Sequence, residues 1–141
     1  MGDYTIQMQF DVAADEAALR QAISTAAGIR SWWTNHAELS GGKLQTSFVD
    51  TPMPFEFDVR DGPDGRIDWV TGAFPPPWAG TTVSWDFAPN PDGPGTRLQF
   101  RHGGFDANNP VIPVVTPVWA QIGLRLKDFA ESGTPNPFFA Y

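Results

Sequence analysis

Four segments of this 141-residue chain carry a large apolar side chain at every second position. They are Phe55, Phe57 and Val59; Ile67 and Trp69; Val83, Trp85 and Phe87; and Leu98 and Phe100, with His102 next in the same register. Side chains two residues apart share one face of a strand, so the spacing predicts strands there. The residues between them are polar: Glu56 and Asp58, Asp68, Ser84 and Asp86, Gln99 and Arg101. The resulting sheet has one wet face and one aromatic face. Near the C-terminus, Val118, Trp119, Ile122, Leu126 and Phe129 follow a helical stripe that can cover the aromatic face. Bulky rings leave gaps more readily than aliphatic chains, so a pocket between sheet and helix is expected.

The rest of the chain fits the same plan. Tyr4, Ile6, Met8, Phe10 and Val12 alternate with polar residues and predict a first strand. Asp15 is placed to cap a helix whose inner face is Leu19, Ala22, Ile23 and Ala26, with Gly28 at its end. A second short helix is expected over residues 29–34, carrying Trp32 and Trp33. Gly41-Gly42 signals a hairpin, followed by a strand over residues 43–49. Asp61-Gly62-Pro63-Asp64-Gly65 and Pro91-Asp92-Gly93-Pro94-Gly95 are turns between later strands. The last helix is expected to start with Thr116 as cap and Pro117 at its first position, to run to about residue 131, and to end before Gly133. The sum is one α+β domain over residues 1–141: a curved antiparallel sheet of about six or seven strands, two short helices, and a long C-terminal helix packed on the concave face.

Composition bounds the partners. Nine basic and sixteen acidic residues leave a formal charge of −7, with no basic cluster. Nucleic acid and anionic membranes are held largely by Lys and Arg, so neither is an expected partner. The apolar fraction of 41% and aromatic fraction of 13% are those of a folded globular chain. The absence of cysteine excludes disulfides, thiolate metal sites and cysteine nucleophiles. No run is long enough for a membrane span, since Val111-Ile112-Pro113-Val114-Val115 is short and broken by proline. The first residues have neither the basic flank nor the apolar core of a signal peptide, and a cytoplasmic location is expected.

Three local patterns carry a family resemblance. One is Ile29-Arg30-Ser31-Trp32-Trp33-Thr34. Another is Gly95-Thr96-Arg97-Leu98, continuing through Arg101-His102-Gly103-Gly104-Phe105. The third is Trp119 followed by Leu126-Lys127-Asp128-Phe129 and Gly133. With the strand order, the chain resembles the START/Bet v 1-like (SRPBCC) superfamily, in the branch related to the C-terminal domain of the activator of heat-shock-protein-90 ATPase. The resemblance implies a helix-grip fold and a cavity between sheet and helix. Members include lipid carriers, aromatic polyketide cyclases, oxygenase subunits and co-chaperones, so it is unspecific for activity. The proline-rich stretch from Phe74 to Trp78 and the Asp106-Ala107-Asn108-Asn109-Pro110 loop depart from the family pattern, and both are placed to shape a pocket mouth.

The chemistry within reach is limited. His102 is the only ionisable side chain in the four strand sets, and it reads either as a base or ligand anchor or as a buried histidine bonded near Gly103-Gly104. His36 and His102 are far apart, with no carboxylate pair beside them, and no metal or other cofactor is expected. No Gly-x-Ser-x-Gly elbow or phosphate loop occurs. Gly123 either leaves room for a ligand or lets the helix approach the sheet. The expected ligand surface is Trp33, Phe55, Phe57, Trp69, Trp85, Phe87, Phe100, His102, Trp119 and Ile122, with Trp78 a further candidate for the rim. These readings lead first to a non-enzymatic binder of a small apolar or aromatic molecule. The alternatives are a cyclase- or hydrolase-like enzyme using a cavity histidine, and a chaperone-like protein-interaction domain.

Overall fold

One rung of the sheet explains most of its architecture. Ile6 lies opposite His102, His102 opposite Val83, Val83 opposite Trp69, and Trp69 opposite Val59. In this computed structural model, which describes residues 2–141 and leaves Met1 outside, the elements follow one another as expected. They are β1 (Tyr4–Val12), α1 (Glu16–Ser24), α2 (Ala26–Ile29), β2 (Ala37–Ser40), β3 (Lys43–Thr46), β4 (Phe55–Asp61), β5 (Ile67–Thr71), β6 (Thr82–Pro89), β7 (Thr96–Phe105) and α3 (Ile112–Ser132). The seven strands form one antiparallel sheet in the order β1-β7-β6-β5-β4-β3-β2. The first strand therefore closes against the last, and every other pairing is between chain neighbours. The curved sheet holds α3 against its aromatic face, which is the helix-grip arrangement.

The wet face is knitted by cross-strand polar pairs. Arg97 holds Asp11 through two bonds of 2.8 and 3.1 Å, Arg101 holds Asp86 at 2.6 Å, and Gln45 donates to Glu56 at 2.6 Å. Pairs this exposed add little stability each, but like charges in these positions would oppose the register.

Several local expectations need correction. Asp15 does cap α1, its Oδ1 accepting from the Ala18 N–H at 2.8 Å. The helix then stops at Ser24, because Thr25 turns extended and caps α2 by accepting from the Gly28 N–H at 3.0 Å. Gly28 is thus inside α2 and not a helix end. A Cβ there would lie 2.5 Å from the Ala22 carbonyl oxygen, so glycine permits the close approach of the two short helices. The second helix spans Ala26–Ile29, and Trp32 and Trp33 follow it in a turn. The strand expected over 43–49 ends at Thr46, which frees Phe48 to turn inward. α3 begins at Ile112 with Pro113 in its first turn, and Pro117 sits inside the helix. Proline so near the start of a helix is tolerated, since the Pro113 carbonyl left without an amide partner belongs to an exposed residue.

Gly123 meets Phe10. A Cβ on Gly123 would fall 2.3 Å from the end of the Phe10 ring, so its role is close packing of helix on sheet. Gly133, at φ 75°, closes α3 with its N–H on the Phe129 carbonyl at 2.7 Å. Beyond it the chain folds back over the turn after α2. The amides of Phe138 and Phe139 donate to the Trp32 and Trp33 carbonyls at 3.2 and 2.8 Å, and the Asn35 amide donates to the Phe139 carbonyl at 3.1 Å.

Candidate functional site

Between the middle of the sheet and α3 the rings pack against one another. Trp33 stacks on Trp69 at 5.9 Å and 9°, Trp69 meets Trp85 edge-on at 5.3 Å, Trp85 meets Phe100 at 5.0 Å, and Phe100 meets Trp119 at 4.7 Å. All five side chains are almost fully buried. Edge-on and offset contacts at these spacings are the favourable ones for aromatic rings, and together they fill the central space.

The open space lies at one end of the sheet, where β3 and β5 end and β4 and β6 begin. It is a cleft of about 310 Å³, open on one side. The first two turns of α3 form one wall with Val111, Val115 and Val118. The turn between β5 and β6 supplies Pro75, Pro77 and Trp78. Phe48 and Phe55 come from the β3–β4 side, with Asp50 and Thr51 at the loop between them. Phe139 and Tyr141, from the folded-back tail, complete the surround. Val114 in the lining is 62% exposed, and Val49 and Met53, on the chain segment that supplies Phe48, Asp50 and Thr51, are 66% and 51% exposed.

Of the expected ligand residues, Trp33, Phe55, Trp119 and Ile122 line this cleft. Phe57, Trp69, Trp85 and Phe100 belong to the packed centre. Phe87 sits elsewhere on the sheet, with the Arg20 guanidinium 4.4 Å above its ring. Trp78, expected at the rim, is a wall of the cleft. Phe48, the valines of α3 and the two tail aromatics were not anticipated. The valine stripe was legible, because residues 111, 114, 115 and 118 recur at i, i+3, i+4 and i+7. The tail carried no comparable signal.

His102 is wholly buried, and both ring nitrogens are engaged. The Trp119 indole N–H donates to its Nδ1 at 3.1 Å, and its Nε2 lies 2.9 Å from the Thr81 hydroxyl oxygen. An accepting Nδ1 requires the neutral ring to carry its proton on Nε2, so Nε2–H donates to Thr81. The Thr81 hydroxyl in turn donates to the Trp78 carbonyl at 2.6 Å. Burial pushes the His102 pKa down to about 3. The ring is neutral at ordinary pH and does not border the cleft. Its visible consequence is mechanical: one imidazole ties Trp119 to the segment bearing Trp78, and both are cleft walls.

His36 is exposed, beside Tyr141 at a ring separation of 6.0 Å. Among the described residues, no three His, Cys, Asp or Glu side chains converge as a metal site. No helix among them is long and apolar enough to cross a membrane. The residues of the Asp61–Gly65 turn serve the fold, with Arg20 donating to the Gly65 carbonyl at 2.7 Å.

No protein-family model and no curated protein sequence matches the chain. Solved structures do. The Aha1 dimer from Colwellia psychrerythraea superposes with a TM-score of 0.78 at 24% identity, over 92% of this chain and 98% of that one. A protein from Staphylococcus saprophyticus gives 0.74 at 14% identity, over 97% and 98%. DynU16, from the dynemicin biosynthetic locus, gives 0.73 at 17% identity, over 99% of this chain and 51% of its own. At these identities the likeness is one of fold, and it is the fold that the START/Bet v 1-like resemblance implied.

Proposed function

We propose that the chain is a START/Bet v 1-like, Aha1-related domain that binds one small apolar or aromatic molecule without transforming it. The observation that carries this reading is the open aromatic cleft beside a centre filled by its own rings. At about 310 Å³ the cleft is at the small end of ligand pockets, which run from roughly 300 to 1,000 Å³. That size suits a compact ring system better than a long lipid. Burying ~400 Å² of apolar ligand is worth about 10 kcal/mol at ~25 cal/mol per Å². Association costs roughly 4–15 kcal/mol, so fit decides affinity. The enzymatic alternative draws on a cavity histidine, whereas His102 faces Trp119 and Thr81 with both nitrogens occupied.

A titration of amide chemical shifts with naphthylethanol tests the reading. Shifts confined to Val115, Val118 and Phe139, and abolished by Val118→Trp in a protein that still unfolds cooperatively, are expected. No shift up to the solubility limit of the probe would remove the binding role.

A second reading, docking of a protein partner beside the cleft, draws on the exposed Val114 in its lining and on the exposed Val49 and Met53 of the neighbouring loop. A concentration-independent monomer that captures no partner in stoichiometric amount would count against it.

A further inference from the structure

The cleft lining contains one charged side chain, and it is an acid. Asp50 stands at the mouth, and no Lys, Arg or His shares the lining. Among the described residues no hydrogen bond or ion pair engages its carboxylate. Trp78, Trp119, Phe55 and Phe139 present rings to the same space.

Two features nearby would ordinarily favour an anion, and both are already engaged. The first is the N-terminus of α3. Its leading N–H groups have partners within the chain: the Val111 amide donates to the Asn109 side-chain oxygen at 2.9 Å, and the Ile112 amide to the Asn109 carbonyl at 3.2 Å. The Val114 and Val115 amides both donate to the Val111 carbonyl, and Pro113 has no N–H. The second is the Thr51 hydroxyl, which lies 3.2 Å from the carbonyls of Phe48 and Met53. Arg125, on the outer side of α3, donates to the tail carbonyls of Asn136 and Pro137 and is not part of the lining.

We infer that the ligand class is an aromatic or compact apolar molecule bearing an amine or other cationic group, held with its cation at Asp50, and that carboxylates such as fatty acids are rejected. This rests on the cleft being a ligand site. A cation at the mouth gains from the carboxylate and from the faces of the surrounding rings, whose quadrupoles attract positive charge. A carboxylate there meets Asp50, and the donors left over in the lining, the Trp33 and Trp78 indole N–H groups and the Tyr141 hydroxyl, bring no positive charge to offset that repulsion. The inference thus separates ligands that apolar burial alone would treat alike.

The test compares three probes with one naphthyl body: naphthylethylamine, naphthylethanol and naphthylacetate, each titrated by amide chemical shift at low salt. The amine is expected to bind about fivefold tighter than the alcohol, the size of an exposed ion pair and cation–ring contact together, with the acetate weakest. Asp50→Asn should bring the amine to the alcohol's affinity while leaving the alcohol unchanged, and Asp50→Lys should make the acetate the tightest of the three. Asp50 is exposed on a loop, so neither variant threatens the fold. Equal binding of all three probes, or an amine preference that survives Asp50→Asn, overturns the inference and leaves the cleft standing. Failure of the alcohol itself to bind overturns the cleft and the inference with it.

Discussion

The indole N–H of Trp119 donates to Nδ1 of His102 across 3.1 Å in the closed interior, and this bond sets the tautomer of the only buried histidine. Because Nε2 must then carry the proton and give it to Thr81, protonating the ring would leave two donors facing each other at Nδ1. A polar group so placed couples fold stability to pH.

With its folded-state pKa pushed down to about 3 from an ordinary 6.5, His102 binds its proton far more readily in the unfolded chain. Its contribution is fully present above pH 6.5 and is lost as pH falls from 6.5 towards 3. The slope approaches about 1.4 kcal/mol per pH unit for one proton. Glu131 and Asp11 have carboxyls held below their usual range by hydrogen bonds, and they add losses only at lower pH. Urea unfolding between pH 7 and pH 4.5 should therefore show falling stability in the wild type and a much flatter profile in His102→Gln, whose amide keeps an acceptor for Trp119 and a donor for Thr81. Equal slopes in the two proteins would contradict this assignment.

Gly28→Ala and Gly123→Ala should both destabilise, in that order. At Gly28 the new methyl meets backbone, 2.5 Å from the Ala22 oxygen and 2.7 Å from its Cα. Two helices must separate, at a cost of about 1–3 kcal/mol that the helix preference of alanine offsets only in part. At Gly123 it meets the far end of half-buried Phe10, which can tilt, so about 1 kcal/mol is expected. Thermal unfolding of the two variants gives the ranking, and Phe10→Leu should relieve the loss at Gly123 and leave that at Gly28 untouched.

Arg125 anchors the tail, donating to the Asn136 and Pro137 carbonyls at 3.0 and 3.2 Å while its guanidinium lies 5.6 Å from the Phe138 ring. Arg125→Ala should speed hydrogen exchange at the Phe138 and Phe139 amides and weaken naphthylethanol binding a few-fold. The melting temperature should move by only a few degrees, as suits the loss of about 1 kcal/mol from a partly exposed contact. Unchanged exchange at those two amides would show that the tail is held without Arg125.

Asp15→Ala should cost about 1 kcal/mol, because the Ala18 amide loses its acceptor at the start of α1. Asp15→Asn, which retains a side-chain oxygen in the same place, should cost much less. Chemical denaturation resolves the two, and equal losses would mean that the charge and not the cap matters.

Much of the fold was legible because the evidence for it is local. Alternation in β1, β4, β6 and β7 names their inner faces. Gly41 and Gly42, at φ 59° and 76°, adopt the left-handed turn that their dipeptide announces. The start of α3 was misread because Thr116-Pro117 imitates a helix cap, while the true start at Ile112 has no side-chain cap at all. The candidate site was legible in part. Trp33, Phe55, Trp119 and Ile122 lie on the cleft, whereas Trp69, Trp85 and Phe100 share the same inner face but sit among other rings.

Periodicity settled which face of each strand would be dry and that a long apolar helix would lie across it, since both follow from side-chain geometry within a few residues of chain. Where empty volume remained was a matter for the assembled molecule alone. It depends on which rings meet across distant elements, and on a tail whose hydrogen bonds join residues about a hundred positions apart. No pattern confined to neighbouring residues encodes such pairings.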